Sequence, residues 1–163
     1  MVKLGPISDV HKDLIRSWRN DPEIFTWCRQ HTPIEAWEHD AWLKSLETRQ
    51  DVKMFGILND GWEPVGVCGL TSIDMVNRHA EFSLYIQYTK WGHNYGTEAL
   101  KELVNYGFDV LGLKHIFGET FDGNPAIKTF EKLGFEKEGT RRNFYFRNGR
   151  FIDAHLYSII NKF

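Results

Sequence analysis

An alternating stretch that leads through a glycine-containing loop into a helical pattern constrains this chain more than any other feature. Residues 79–88 read HAEFSLYIQY, in which apolar and more polar side chains alternate with the period of a strand. The loop KWGHNYG follows, residues 99–111 place apolar side chains at helical spacing, and residues 115–121 return as a strand. A connection this long joins parallel strands by a right-handed crossover. The pattern therefore predicts a strand–helix–strand unit with a loop at the first turn.

The other strands are predicted from apolar runs and turn residues. Residues 2–7, 52–58 and 62–72 have strand patterns, the last two separated by a hairpin-type Asn59-Asp60-Gly61 turn. Residues 135–146 and 151–160 are predicted to form a closing hairpin at Asn148-Gly149. On the expected polar face of the 79–88 strand lie Glu81, Ser83, Tyr85 and Gln87.

Three further helices are predicted from capping residues. Ser8 is expected to cap a first helix, and the capping box Thr32-Pro33-Ile34-Glu35 to begin a second. Asn124 as cap, with Pro125 after it and Gly134 at the far end, delimits a fourth. The predicted fold is α+β: a mixed, mostly antiparallel sheet of about seven strands flanked by four helices, with a parallel strand–helix–strand unit.

Composition limits the partners that this chain can have. Its 163 residues suit a single domain, and a formal net charge of −2 gives no basic face for nucleic acid or an anionic membrane. No apolar run approaches the ~20 residues that span a bilayer, and no leader pattern is present. Cys28 and Cys68 match neither a metal site nor a redox pair. We therefore expect a cytoplasmic protein without a metal.

The loop by itself allows two interpretations. Glycines that lead from a strand into a helix expose backbone amides at the positive end of the helix dipole, which suits a phosphate. The spacing Gly92-x-x-x-Gly96 matches neither a dinucleotide fingerprint nor a P-loop. On these residues alone, an ordinary strand-to-helix turn is at least as good an explanation.

The loop taken together with DGNPAIKTFEKLGFEKEG, residues 122–139, and LTSIDMVNRHAEFSLYI before it resembles the GNAT superfamily of acetyl-coenzyme A dependent N-acetyltransferases. The resemblance covers essentially the whole chain and is closest to the branch that acts on ribosomal-protein N-termini and amino sugars. Two positions depart from the family signature: Asn94 replaces a glycine, and Trp91 stands where arginine or glutamine is usual. Asparagine tolerates the left-handed backbone that a glycine would supply.

The resemblance implies the residues that bind acetyl-coenzyme A (acetyl-CoA). The backbone of the 84–87 segment should bond the pantetheine arm like an added strand, the amides of the loop should hold the pyrophosphate, and the helix after Asn124 should contribute further contacts. The expected cofactor-binding residues are Leu84, Tyr85, Ile86, Gln87, Trp91, Gly92, His93, Asn94, Tyr95, Gly96, Thr97, Asn124, Ile127 and Phe130.

For the reaction, the resemblance implies Glu81 as general base, because only a neutral amine attacks a thioester. A glutamate on the wet face of a sheet is the alternative. The tyrosine with which many relatives protonate the leaving thiolate is Phe130 in this chain. The hydroxyls of Tyr85, Ser83, Tyr145 and Tyr157 remain open as replacements, with Tyr85 the candidate catalytic residue, as does water.

The acceptor pocket is expected between the first two helices. Its candidate residues are Phe25, Trp27, Arg29, His39 and Trp42, although aromatic residues in this region are also typical of a core. The layout resembles enzymes that acetylate a nucleotide-linked 4-amino sugar. The predicted function is N-acetyl transfer by direct attack in a ternary complex, onto a nucleotide-linked amino sugar or a protein or peptide N-terminus, with polyamines less favoured. A non-catalytic acyl-CoA binding module is the alternative, and a homodimer is expected by analogy.

Overall fold

The computed structural model of the protein describes residues 1–163. Seven strands form one sheet: β1 (Lys3–Pro6), β2 (Lys53–Leu58), β3 (Pro64–Asp74), β4 (His79–Ile86), β5 (His115–Phe121), β6 (Glu136–Arg147) and β7 (Arg150–Ile160). Their order across the sheet is β1-β2-β3-β4-β5-β7-β6, and only the β4–β5 pair is parallel. The predicted α+β fold with its parallel unit is confirmed.

Five α-helices flank the sheet, one more than predicted: α1 (Lys12–Asn20), α2 (Pro22–Phe25), α3 (Ala36–Ser45), α4 (Tyr95–Asn105) and α5 (Ile127–Lys132). The additional helix, α2, is a single turn whose N-cap Asp21 accepts a hydrogen bond from the Glu23 amide at 2.9 Å. None of the helices is long and apolar enough to span a membrane.

The sheet buries both of its faces. On one face α4 and α5 cover a core that includes Leu70, Phe82, Leu100 and Ile116. On the other face a smaller cluster joins Ile15 and Trp18 of α1 to Val67, with Tyr85 packed against it. The prediction of a polar face on β4 was therefore wrong at Tyr85, because helices α1 to α3 cover that side of the strand.

Two helices begin later than the sequence predicts. Residues Ile7–Asp9 form a 3₁₀ turn, and α1 starts only after His11, whose side chain accepts from the Asp13 amide at 3.3 Å. The capping box of α3 is formed by Glu35 and Glu38, three residues beyond the predicted one. The reason lies in Asn20, which holds both the amide (2.8 Å) and the carbonyl (2.9 Å) of Ile34 and keeps that residue outside the helix.

The third and fourth predicted helices, which are α4 and α5 in the structure, also differ from the prediction at one end each. Helix α4 changes to a π-helical turn over Tyr106–Val110. Gly107 lies in that turn, where an added Cβ would come within 2.6 Å of Ile116 Cδ1. Asn124 does not cap α5 directly; its Oδ1 accepts from the Ala126 amide at 2.9 Å, in the turn before the helix.

Substitution of Asn20 by alanine should lower the free energy of unfolding by about 1–3 kcal/mol, because two partly buried backbone groups of Ile34 lose their partner. Urea denaturation followed by circular dichroism measures this. Ser17→Ala, on the exposed side of the same helix, is the control and should change stability by less than about 0.5 kcal/mol. Equal stability of the two variants would contradict the role given to Asn20.

Candidate active site

A cleft opens where β4 and β5 separate. The two strands pair only from His79↔His115 to Glu81↔Phe117. Beyond that point β4 keeps its pairing with β3, and β5 keeps its pairing with β7. The edge of β4 that faces β5 therefore has no strand partner from Phe82 to Ile86. The cleft between the strands has a volume of about 630 Å³.

An aromatic side chain fills the fork between the strands. The Phe82 ring covers Gly118, the residue directly after the last parallel pair, so closely that an added Cβ on Gly118 would lie 2.4 Å from the ring. Phe130 and Phe135 pack edge-on against the same ring, with centroids 5.1 and 5.2 Å away. The base of the cleft is thus an aromatic cluster that contains Phe130, the residue that the resemblance leads us to expect in place of a tyrosine.

The loop between β4 and α4 presents a row of free backbone donors. Gly92 (φ +84°) and Asn94 (φ +67°) both adopt the left-handed conformation. The first helical hydrogen bond runs from the Glu98 amide to the Asn94 carbonyl at 3.1 Å, and the amides of residues 92–97 make no hydrogen bond within the chain. Six consecutive donors at a helix N-terminus form a site for an anionic oxygen-rich group.

Trp91 fixes this loop to the strand before it. Its indole N–H donates to the Ile86 carbonyl at 2.9 Å, and its ring meets the Tyr88 ring edge-on. The backbone N–H of Gln87 points in the opposite direction and donates to the Val65 carbonyl of β3 at 2.8 Å. Trp91, which the resemblance leads us to expect in place of arginine or glutamine, therefore orders the loop through its own hydrogen bond.

Most of the predicted cofactor residues lie together. Those that line the cleft are Leu84, Tyr85, Ile86, Trp91, Gly92, Asn94, Tyr95, Gly96, Thr97, Asn124 and Phe130. Three do not line it: Gln87, bonded to β3; His93, which stacks on Tyr95 with centroids 5.5 Å apart; and Ile127, which packs against the core. The Asn124 side-chain nitrogen has no partner within the chain and remains free to donate.

The predicted acceptor residues divide into two groups. Trp27 and Arg29 line the cleft, whereas Phe25, His39 and Trp42 do not. His39 is only 4% exposed and stacks on Trp42 with centroids 5.6 Å apart. These two aromatic residues belong to the packing around α3, the alternative that the sequence left open for them.

Glu81 and Arg29 form an ion pair at the edge of the cleft. The Glu81 side chain is 14% exposed, and the Arg29 side chain is 55% exposed. The loop that carries Arg29 is held from β6, because Arg147 Nη2 donates to the carbonyls of Cys28 (3.3 Å) and Arg29 (2.7 Å). The position of Arg29 beside Glu81 is therefore set by contacts from the far end of the chain.

The sequence analysis missed Glu119, the one carboxylate that lines the cleft; Glu81 is not among the lining residues. Glu119 lies on β5, two residues beyond Phe117 and hence on the same face of the sheet as Glu81, and its side chain is 5% exposed. Arg141 Nη1 contacts it at 2.5 Å, and the Tyr145 hydroxyl donates to its other oxygen. Burial and the neighbouring carboxylate raise the pKa of Tyr145. The alternation of Phe117, Glu119 and Phe121 was the available signal.

The Tyr85 hydroxyl lies on the side of the cleft that faces α1. It is buried and has no hydrogen-bond partner, and burial raises the pKa of this phenol well above its ordinary value. The Arg19 guanidinium lies over the ring, 5.6 Å from its centroid. Tyr85 thus contributes its backbone to the open edge of β4, while its hydroxyl is enclosed.

Comparison with known proteins agrees with this geometry. Residues 2–136 match the Acetyltransferase (GNAT) domain family. An uncharacterised N-acetyltransferase of Bacillus licheniformis is 30% identical over 156 residues, which cover 92% of this chain and 87% of the relative. Spermidine N(1)-acetyltransferase of Escherichia coli is also 30% identical, over 94% of this chain and 82% of the relative.

Among solved structures, spermidine N-acetyltransferase from Vibrio cholerae in complex with CoA and spermine superposes with a TM-score of 0.88 at 22% identity, covering 98% of this chain and 94% of the other. The chain belongs to the GNAT family and is an acetyl-CoA dependent N-acetyltransferase. This assignment favours the enzyme over the non-catalytic binding module.

His39 should make stability depend on pH. Burial lowers its pKa, and its Nε2 has no hydrogen-bond partner, so protonation of the ring is less favourable in the folded chain than in the unfolded chain. Below the ordinary histidine pKa of about 6.5, the unfolded chain takes up a proton that the folded chain does not. The free energy of unfolding of the wild type, minus that of His39→Phe, should therefore fall from pH ~7.5 to ~5.5 in denaturant titrations. A constant difference would contradict a neutral His39.

Proposed function

We propose that this protein transfers an acetyl group from acetyl-CoA to a primary amine by direct attack within the β4–β5 cleft. The observation that carries the proposal is the unpaired edge of β4, which leads directly into the six free amides of residues 92–97. A ligand with an amide-containing arm and a pyrophosphate fits this site, because the arm can pair with the exposed strand edge and the pyrophosphate can bind at the anion site. The whole chain is proposed to act as one acetyltransferase domain, since both hydrophobic clusters share the sheet.

Each part of the cleft has a proposed role in holding the acyl donor. The backbone of Leu84 to Ile86 would bond the pantetheine arm, and the loop amides would hold the pyrophosphate at the start of α4. The free amide nitrogen of Asn124 would reach the donor from the opposite side. When bound there, acetyl-CoA supplies the thioester carbonyl that the amine attacks.

Glu81 is the proposed proton acceptor. An aliphatic amine with a pKa near ~10 is protonated at neutral pH and has to lose a proton before it attacks. Glu81 belongs to the last β4–β5 pair, next to the point where the cleft begins, and its carboxylate contacts Arg29, which lines the cleft. Arg29 holds that carboxylate on the acceptor side, where it can take the proton directly or through a water molecule.

The leaving thiolate needs less assistance than the amine. A thiol pKa of about 8.5 makes it a good leaving group without a dedicated acid. Phe130 offers no proton, and the Tyr85 hydroxyl is enclosed. We therefore propose that Tyr85 serves through its backbone, and that the thiolate takes its proton from water.

For the acceptor, we propose a nucleotide-linked amino sugar ahead of a peptide N-terminus, with polyamines behind both. Several relatives are named spermidine acetyltransferases, so a polyamine is a serious alternative. A polycation requires carboxylates that are free to pair with it. The two carboxylates at this site are each already paired with an arginine, Glu81 with Arg29 and Glu119 with Arg141.

Self-association remains a proposal by analogy with solved relatives, one of which is dodecameric. Phe144, Phe146 and Phe151 are each more than half exposed on the β6–β7 hairpin, and an assembly would cover such side chains.

Glu81→Gln should lower kcat by about 100-fold or more while changing coenzyme A affinity less than about threefold, because only proton transfer is lost. Thiol release with acetyl-CoA and a nucleotide-linked 4-amino sugar measures the first quantity, and calorimetric titration measures the second. Glu119→Gln is the matched variant on the neighbouring strand and should retain more activity. If Glu119→Gln gave the large loss and Glu81→Gln did not, the base would be Glu119.

Asn94 variants should show whether backbone shape or a side-chain contact matters in the loop. Because Asn94 has φ +67°, Asn94→Gly should preserve coenzyme A binding, whereas Asn94→Ala should weaken it about five- to tenfold through the cost of a left-handed alanine. Calorimetric titration of coenzyme A into each variant provides the dissociation constants. Equal weakening in both variants would instead assign the Asn94 amide to a phosphate contact.

A further inference from the structure

The acceptor half of the cleft contains an arginine with no anionic partner. Arg19, in the last turn of α1, lines the cleft and is only partly exposed. Its guanidinium donates from Nε (3.1 Å) and Nη2 (2.5 Å) to one neutral oxygen, Oε1 of Gln30, and no carboxylate lies within 4.0 Å. Its Nη1 has no hydrogen-bond partner within the chain. A partly buried cation in this state is incompletely compensated.

The contrast with neighbouring arginines makes this arrangement specific. Arg29, which also lines the cleft, is paired with Glu81, and Arg141 is paired with the lining residue Glu119. Arg147 does not line the cleft and donates to three backbone carbonyls, those of Cys28, Arg29 and Phe146. Of the other residues between positions 19 and 30 that line the cleft, Ile24, Trp27, Cys28 and Gln30 are uncharged, and Arg29 is paired with Glu81. Arg19 is therefore the one guanidinium lining the cleft whose charge is left for a ligand.

The Arg19 side chain is also held in place before any ligand arrives. Gln30 Nε2 donates back to the Arg19 carbonyl at 3.1 Å, so the two residues bind each other through side chain and main chain. The Tyr85 ring supports the guanidinium from below at 5.6 Å, and Trp18 beside it in the helix is buried. A pre-ordered guanidinium binds a carboxylate or phosphate with little loss of side-chain entropy.

We propose that Arg19, positioned by Gln30, forms an anion subsite, and that the amine acceptor carries a carboxylate or phosphate group bound there. This inference rests on the proposed acetyl transfer and specifies its acceptor class. Such an acceptor would place its amine beside Glu81 and its anion beside Arg19. A nucleotide-linked amino sugar supplies the anion as phosphate, and an amino acid supplies it as carboxylate.

Matched pairs of acceptors test the subsite and separate the two sources of anion. The phosphate arm compares a UDP-linked 4-amino sugar with the same sugar lacking the nucleotide. The carboxylate arm compares L-methionine with L-methioninamide, and spermidine is run beside them. We expect kcat/KM for the anionic member of one pair to exceed that of its neutral counterpart by at least about tenfold.

Arg19→Gln should lower kcat/KM for the preferred anionic acceptor by about 10- to 100-fold, mainly through KM, and leave the neutral counterpart and acetyl-CoA nearly unchanged. Arg19→Lys, which keeps the charge without the planar fork, should recover part of the loss. Arg49→Gln is the control, because that arginine pairs with Asp51 away from the cleft. Circular dichroism and thermal melting establish that each variant is folded.

The possible failures are distinguishable. If the wild type acetylates amines but does not prefer anionic acceptors, or if Arg19→Gln leaves the preference intact, the subsite is wrong and the proposed function stands. If no amine is acetylated, the proposed function fails, and a binding measurement then tests the anion subsite on its own. In that case, UDP or N-acetylmethionine is titrated into the coenzyme A-saturated protein, and one of them should bind to Arg19→Gln at least about tenfold more weakly than to the wild type. Equal binding to the two proteins, or no binding to the wild type, would overturn the proposal.

Discussion

The contact between the Phe82 ring and the bare backbone of Gly118 is the one on which the rest of the site depends. It lies directly after the last parallel pair of β4 and β5, where a side chain on residue 118 would collide with the ring. Above this fork each strand keeps only its outer neighbour, so one edge of β4 exposes unpaired peptide groups inside the molecule. Unpaired peptide groups in such a place are costly unless a ligand or water binds them.

The two faces of the sheet supply different parts of the site. On one face α4 and α5 pack over the core, and their N-terminal ends bring the amides of residues 92–97 and the side chain of Asn124 to the open edge. On the other face α1 and the segment after α2 bring Arg19, Trp27 and Arg29 to the cleft, and Arg29 pairs with Glu81. The cleft therefore has a donor half built mainly from backbone and an acceptor half built mainly from side chains.

This division explains which predictions from the sequence succeeded. The strand–loop–helix unit and the left-handed tolerance of Asn94 are local properties, and both appear in the structure. The acceptor half depends on long-range contacts, and there the sequence was less informative. His39 and Trp42 turned inward around α3, and Glu119 was overlooked because its partners, Arg141 and Tyr145, lie on a different strand.

By itself, the sequence determined the order of most strands and helices and the loop with its left-handed positions, because short-range periodicity and turn chemistry encode these features. The acetyltransferase family was indicated by the resemblance of its motifs, which the family match supports. Only the tertiary structure decided which charges are paired. Arg29 is paired with Glu81, 52 positions away, whereas the side chain that accepts hydrogen bonds from Arg19 is the neutral Gln30. The pairing of charges follows from how α1, α2 and the sheet pack together. No local sequence pattern encodes contacts between residues that lie so far apart in the chain.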